Sequence, residues 1–372
     1  MRRLLLIMLS WGGAAAAQAA QPPALAGVWD GKIGNLPVRA CFNQRDWGTF
    51  GGYYYRSRLD TIPLQQPDGQ TKSFVEGHSD SDAKAPRWTI ETISAGKLSG
   101  RWKQAGRTLP IQLTRVPTDG LSEDETPCGS RIFHQPRFVD VRITTKPGRI
   151  DWLQYTRLIL DHRGHFGDSV SVESFALPGS SPAIRQINAK LREPLAEGAD
   201  DWRSCIIWAW NVSPHGGEFS QAIVPTMITR RWLSAKDSSG NYCGGAHPNY
   251  GEYPLTFDLL SGAAVDLHDW FDDKAMIRER HENSREVSTT ISAPFRAHLL
   301  ASWKPDDNEC REVVAEADYW TIALTRTAFL FSPSLPHVAQ ACAEDFPLPF
   351  AKATPYLTVE GQKNVALLRS EP

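Results

Sequence analysis

After the N-terminal twenty residues, no run in the 372-residue chain approaches the ~20 apolar residues of a membrane helix, so no later transmembrane span is expected. The chain also lacks a G-x-S-x-G nucleophile elbow and a glycine-rich phosphate loop, the usual sequence marks of serine hydrolases and nucleotide-binding enzymes. No two cysteines stand at CxxC or CxxxC spacing, which removes the common zinc scaffold. Neither sign of charge dominates. Forty Lys and Arg face 42 Asp and Glu, for a net charge of −2, so no bulk field draws the chain to nucleic acid or an anionic membrane. There is no internal repeat, and no motif calls for a cofactor.

What is present begins with an export signal. Arg2 and Arg3 form a short basic region, Leu4 to Leu9 an apolar run, and Ala17-Gln18-Ala19 a small-x-small cleavage pattern. Residues 1–20 therefore read as a signal peptide cut after Ala19 or Ala20, with a retained anchor as the alternative. No lipobox cysteine follows. The expected location is the periplasm or the exterior. In that oxidising setting the six cysteines, an even number, predict three disulfides. Fifteen pairings are formally open. Order along the chain suggests Cys41–Cys128, Cys205–Cys243 and Cys310–Cys342. Thirteen tryptophans and 10% aromatic residues favour a β-rich, well-packed chain.

The predicted fold class is α+β in two parts. Residues 21–118 read as a small antiparallel β-meander or barrel-like domain, with strands near Val28–Ile33, Val38–Phe42, Gly51–Arg56, Trp88–Ile93, Leu98–Trp102 and Leu109–Leu113. Trp29, Trp88, Trp102 and Tyr53-Tyr54-Tyr55 would supply its core or one aromatic face. Residues 119–137 read as a linker, from the acidic, proline-flanked run Pro117 to Pro127. Residues 138–362 read as an α+β domain with an antiparallel sheet and packed helices. Ser181-Pro182 opens a helix whose Ile184, Ile187, Leu191 and Leu195 share one face. Strands are expected at Tyr155–Leu160, Ser169–Phe175, Cys205–Val212, Ile223–Leu233, Tyr253–Leu260, Thr321–Phe331 and Leu348–Ala351. Asp237 to Gly240 reads as a turn. Helices are expected from Ala264–Phe271 on to about Leu300, at Asn308–Ala315, and briefly around Pro355–Leu357.

The most specific stretch is Tyr242-Cys-Gly-Gly-Ala-His-Pro-Asn-Tyr-Gly251, followed by Tyr253, Phe257-Asp258-Leu259 and Leu267-His268-Asp269-Trp270-Phe271. Gly244 and Gly245 would let the backbone approach another surface. With the helix from Ser181 and the segments Phe329–Pro333 and Phe346–Phe350, this pattern resembles the C-terminal domain of RsiV-type lysozyme-sensing anti-sigma factors. That domain of unknown function is also found in PdaC-type peptidoglycan deacetylases. The likeness covers residues ~138–360. It implies a non-catalytic extracytoplasmic module that binds a lysozyme-like protein or a peptidoglycan component, with Tyr242, Gly244, Gly245, His247, Asn249 and Tyr250 in the recognition surface. The chain departs from the family by its Cys243 and by lacking an anchor, a sigma-binding segment and a deacetylase domain.

Other candidates have plainer readings. The His162/His165 pair lacks a zincin glutamate and reads as a solvated turn. Asp266, Asp269, Asp272 and Asp273 lack a calcium loop's central glycine and read as a capped helix start, with steering of a basic partner as a further possibility. His247 is the one residue on which an envelope hydrolase with an unrecognised site could be built, and it would need a carboxylate or nucleophile beside it. A purely structural envelope protein is the third alternative. No metal site is expected.

Overall fold

Alternating apolar and polar residues between Gly27 and Arg115 close, in the computed structural model of the chain, into an eight-stranded antiparallel barrel. The structure describes residues 24–77, 84–117, 125–196, 200–280, 287–301, 303–304 and 308–370, so the expected leader lies outside it. The barrel strands are β1 (Gly27–Ile33), β2 (Leu36–Arg45), β3 (Gly48–Tyr55), β4 (Ile62–Gln65), β5 (Ser73–Glu76), β6 (Arg87–Ile93), β7 (Lys97–Gln104) and β8 (Arg107–Arg115). Each pairs with the next, and β1 closes on β8 from Trp29↔Arg115 to Ile33↔Ile111. Closure removes the sheet edges that an open meander would expose. The short β4 and β5 were not anticipated.

Trp29, Phe42, Tyr53, Phe74 and Trp88 fill the interior. The predicted aromatic core is therefore real, and it holds a carboxylate. Glu76 Oε1 accepts from Tyr53 Oη at 2.7 Å, Trp88 Nε1 at 2.9 Å and Trp102 Nε1 at 2.7 Å. Buried Tyr and Trp need partners for their polar ends, and one glutamate serves all three. Beside that carboxylate, burial first and then the charge of Glu76 push the Tyr53 hydroxyl far above its ordinary range.

Residues 128–137, within the stretch read as a linker, are packed between the barrel and the rest of the chain. Cys128, Phe133, His134 and Arg137 are buried there. The short helix α1 (Arg131–His134) is capped by Ser130, whose side chain accepts from Phe133 N. Tyr54 Oη donates to Phe133 O at 2.8 Å. Val28, Cys41 and Tyr54 share one apolar cluster with Phe133, Phe166, Val172 and Trp210, so the barrel and the second part have a common core.

The second part is built on a six-stranded sheet of order β14-β13-β12-β11-β10-β9. Its strands are β9 (Arg142–Ile150), β10 (Leu153–Asp161), β11 (Val170–Ala176), β12 (Glu218–Ile228), β13 (Trp232–Tyr242) and β14 (Asn249–Asp258). Only β11 and β12 run parallel, joined by helices α2 (Pro182–Arg192) and α3 (Asp200–Val212). Helix α2 forms as expected: Ser181 accepts from Ile184 N, and Ile187 and Leu191 are buried. Cys205–Val212 is helical rather than extended. Its run of aromatic and β-branched residues mimics a strand, but Trp202, Ile206 and Trp210 recur every fourth position and bury one stripe. Asp237 to Gly240 lies inside β13; the hairpin turns earlier, where Thr229 Oγ1 accepts from Trp232 N at 2.8 Å.

The long helix expected up to Leu300 is also corrected. A 3₁₀ turn (Leu267–Trp270) is followed by the hairpin β15 (Met276–Arg280) and β16 (Val287–Ile291), and only then by α4 (Ala293–Leu300). Ser292 caps α4 and Pro294 sits in its first turn, so the start signal lies there. Helix α5 (Asn308–Glu316) precedes a three-stranded sheet of β17 (Trp320–Leu324), β18 (Ala328–Pro333) and β19 (Phe346–Pro349). The single β run expected at Thr321–Phe331 is thus a hairpin. Helix α6 (Phe350–Ala353) and a terminal helix α7 (Val359–Ser370) close the chain; α7 was not anticipated. Phe271, Phe295, Phe329 and Phe331 centre this last core. Among the described residues no helix is long and apolar enough to cross a membrane.

Candidate binding rim and cleft

The β13–β14 loop, residues 243–248, holds Gly244, Gly245 and His247 of the predicted site, with Tyr242, Asn249 and Tyr250 on the flanking strands. Disulfides pair Cys41–Cys128, Cys205–Cys243 and Cys310–Cys342, as chain order suggests. The second pins this loop to α3. Gly244 takes φ +92°, and a Cβ there would lie 2.3 Å from Val212 Cγ2 and 3.0 Å from Ala209 Cα. Only glycine allows that backbone angle and that approach together. At Gly245 a Cβ would meet only His247 O, at an ordinary 3.8 Å. Tyr242 is half-buried, with its hydroxyl 3.5 Å from Ser213 Oγ. Asn249 is exposed and reaches Asn241 Oδ1 at 3.5 Å.

His247 is exposed and stacks on His337, with ring centroids 5.6 Å apart and planes 16° from parallel. His337 opens the 3₁₀ turn His337–Cys342, which the third disulfide fastens to α5. Two cross-linked loops therefore meet at one rim. Among the described residues no hydrogen bond joins His247 to a carboxylate or nucleophile, the partner a hydrolase built on it would require.

Below the rim lies a cleft of about 680 Å³ between the β14 edge and the β17–β18 hairpin. Tyr250, Glu252, Lys236, Arg326, Thr321 and Gln340 line it. Its charges are largely paired: Lys236 to Glu252 at 2.8 Å and Arg326 to Asp151 at 2.7 Å. A depression of about 330 Å³ continues past Tyr250 over Ser171, Ser220 and Ser238. The Tyr250 ring lies over Gly240, where a Cβ would come within 3.1 Å of it, and the residue remains 66% exposed. The structure thus gathers Tyr242, His247, Asn249 and Tyr250 around one rim. Lys236, Glu252 and Arg326, which shape the cleft, were missed. They carry no local motif and meet only through strand register and the hairpin.

Most of the other candidates have local partners. His162 Nε2 lies 3.0 Å from Val170 O and His165 Nδ1 2.9 Å from Arg137 O, so this turn is packed rather than solvated. Asp266 caps the 3₁₀ turn, as a helix start requires. Burial lowers the His268 pKa, but hydrogen bonds to Asp266 Oδ1 at 2.7 Å and Trp320 O at 2.8 Å outweigh it and raise the net value. Asp272 accepts from Lys274 N, and Asp273 lies 3.4 Å from Arg278. Among the described residues no group of three or more His, Cys, Asp or Glu is placed to hold a metal.

No family model matches the chain, and no curated protein matches it. Solved structures of DUF3298-family proteins are similar to it. One, from Bacteroides fragilis, is 12% identical, with a TM-score of 0.39 over 62% of this chain and 96% of that one. Another, from Pseudomonas aeruginosa PAO1, is 14% identical, with a TM-score of 0.33 over 59% of this chain and 93% of that one.

Proposed function

We propose that the chain is an extracytoplasmic binding module that holds a lysozyme-like protein or a cell-wall component at the rim formed by residues 242–250. One observation carries this reading. The loop singled out in the sequence is cross-linked into place yet leaves His247, Asn249 and Tyr250 exposed beside a deep cleft. A loop held so firmly loses little conformational entropy on binding. Three disulfides and a leader-like N-terminus support a location outside the cytoplasm. Acidic steering contributes less than the sequence suggests, because Asp272 and Asp273 lie beside the cations Lys274 and Arg278.

The test uses oxidised protein spanning residues 21–372, co-sedimented with purified wall sacculi and added to a lysozyme lysis assay. Retention on sacculi, or slowed lysis, is expected, and either effect should fall in the variant His247→Ala/Asn249→Ala. Neither effect in the unsubstituted protein would reject the reading.

A further inference from the structure

One wall of the cleft is the free edge of a β-strand. β14 is the outermost strand of the six-stranded sheet. Its backbone polar groups face alternately toward β13 and away from it. Thr256 O accepts from Val265 N at 2.8 Å, and Asp258 N donates to Ala263 O at 3.0 Å. The even-numbered residues therefore form the outward set. β14 pairs with β13 from Asn249 to Asp258 without a register shift, so the same phase holds at Tyr250, Glu252 and Pro254. Among the described residues no backbone group pairs with that stretch of edge. Pro254 has no N–H. The N–H groups of Tyr250 and Glu252, and the carbonyls of all three residues, are left to the cleft they line.

Open edges ordinarily invite other sheets. Here the β17–β18 hairpin stands across the cleft, so the edge is reached from within a confined space. That confinement favours a single extended chain over a second sheet. Side chains flank the edge to match. Tyr250 lies on one face of the sheet. Tyr253 lies on the other, its ring within 3.0 Å of where a Gly251 Cβ would stand. Both are more than half exposed, at 66% and 58%. An added strand places its own side chains alternately on the two faces, so one tyrosine meets each set.

We infer that β14 takes up an extended peptide segment of a partner protein as an added strand of the sheet. Backbone hydrogen bonds hold the peptide, and Tyr250 and Tyr253 select its alternate side chains. This rests on the cleft being the binding site, and it names the ligand class as polypeptide rather than saccharide.

The test selects a phage-displayed random peptide library against the oxidised protein and measures synthetic versions of the recovered peptides. N-methylation at alternate residues is expected to lower affinity about tenfold, as for a lost hydrogen bond, with little effect at the intervening residues. Glu252→Pro removes one outward N–H while leaving the β13–β14 backbone ladder in place and should weaken binding similarly; Glu252→Ala, which keeps that N–H, separates the loss of the side chain from the loss of the donor. Thermal midpoints report whether each variant is folded; if Glu252→Pro is not, the N-methylation pattern decides. Failure to recover any peptide, or affinity indifferent to which residues are methylated, would overturn the inference. If sacculus retention or slowed lysis still depends on His247 and Asn249, the rim reading survives that failure. If peptides show the alternating pattern while neither sacculi nor lysozyme responds, the strand edge stands and the rim reading falls.

Discussion

Arg137 dictates the state of its neighbours at the junction between the barrel and the second part. Its guanidinium is buried 4.4 Å over the Phe166 ring and donates to Leu59 O at 2.9 Å and His165 O at 3.2 Å. It also points at His134 Nδ1 from 3.0 Å. Arginine only donates, so Nδ1 must accept, and Nε2 then donates to Cys128 O at 2.8 Å. His134 is held neutral: burial first, and then the Arg137 charge, push its pKa well below the ordinary 6.5. The unfolded chain therefore binds the proton more readily. The stability from neutral His134 is complete above about pH 6.5 and is lost as pH falls below it, by at most about 1.4 kcal/mol per pH unit. Thermal unfolding between pH 7.5 and 5 should show this loss, and His134→Gln, which can keep both hydrogen bonds, should flatten it. A slope unchanged in His134→Gln would assign the pH dependence elsewhere. In the barrel, Glu76→Ala orphans three buried donors. At roughly 1–3 kcal/mol each, the loss should reach about 3 kcal/mol or more, with Glu76→Gln much milder. Urea unfolding followed by tryptophan fluorescence measures both. The tryptophans were legible as core, but Glu76 was not, because its donors lie 12 to 26 residues away.

The legible elements are those whose signals are local. Ser181-Pro182 marks a helix start by itself, and the barrel strands carry their alternation within a few residues. The misread elements are those where packing overrides local preference. Helix α3 is rich in strand-forming residues but buries a fourfold stripe between sheet and barrel. The hairpin β15–β16 replaces a helix because Met276 and Ile291 pair across it and both enter the core. The rim loop separates its two glycines at the same scale. Gly244→Ala meets both a positive φ and α3, and should cost more than about 1 kcal/mol and weaken partner binding. Gly245→Ala has room and should be tolerated. Denaturation midpoints of the two variants decide; equal midpoints would mean the loop is not braced as described.

At the scale of the molecule, the Cys41–Cys128 bridge spans 87 residues and ties the barrel to the packed segment leading into the second part. That pairing was suggested by the order of the cysteines along the chain. The common core around Phe133 and Trp210 was not, because it forms between residues far apart in sequence. Replacing both cysteines with serine should lower stability by about 2–5 kcal/mol in denaturant titrations. The cleft is also a property of the whole, since one wall is β14 and the other a hairpin some seventy residues later. The sequence located the rim through one loop, while the cleft beneath it depends on that later packing. The most direct test is a calorimetric titration of c-type lysozyme into the oxidised protein, with His247→Ala/Asn249→Ala run in parallel. Saturable binding is expected, weakened about tenfold or more in the variant at an unchanged thermal midpoint. Equal affinity for both proteins would contradict the role of the rim, and no binding to lysozyme together with no retention on sacculi would contradict the binding module itself.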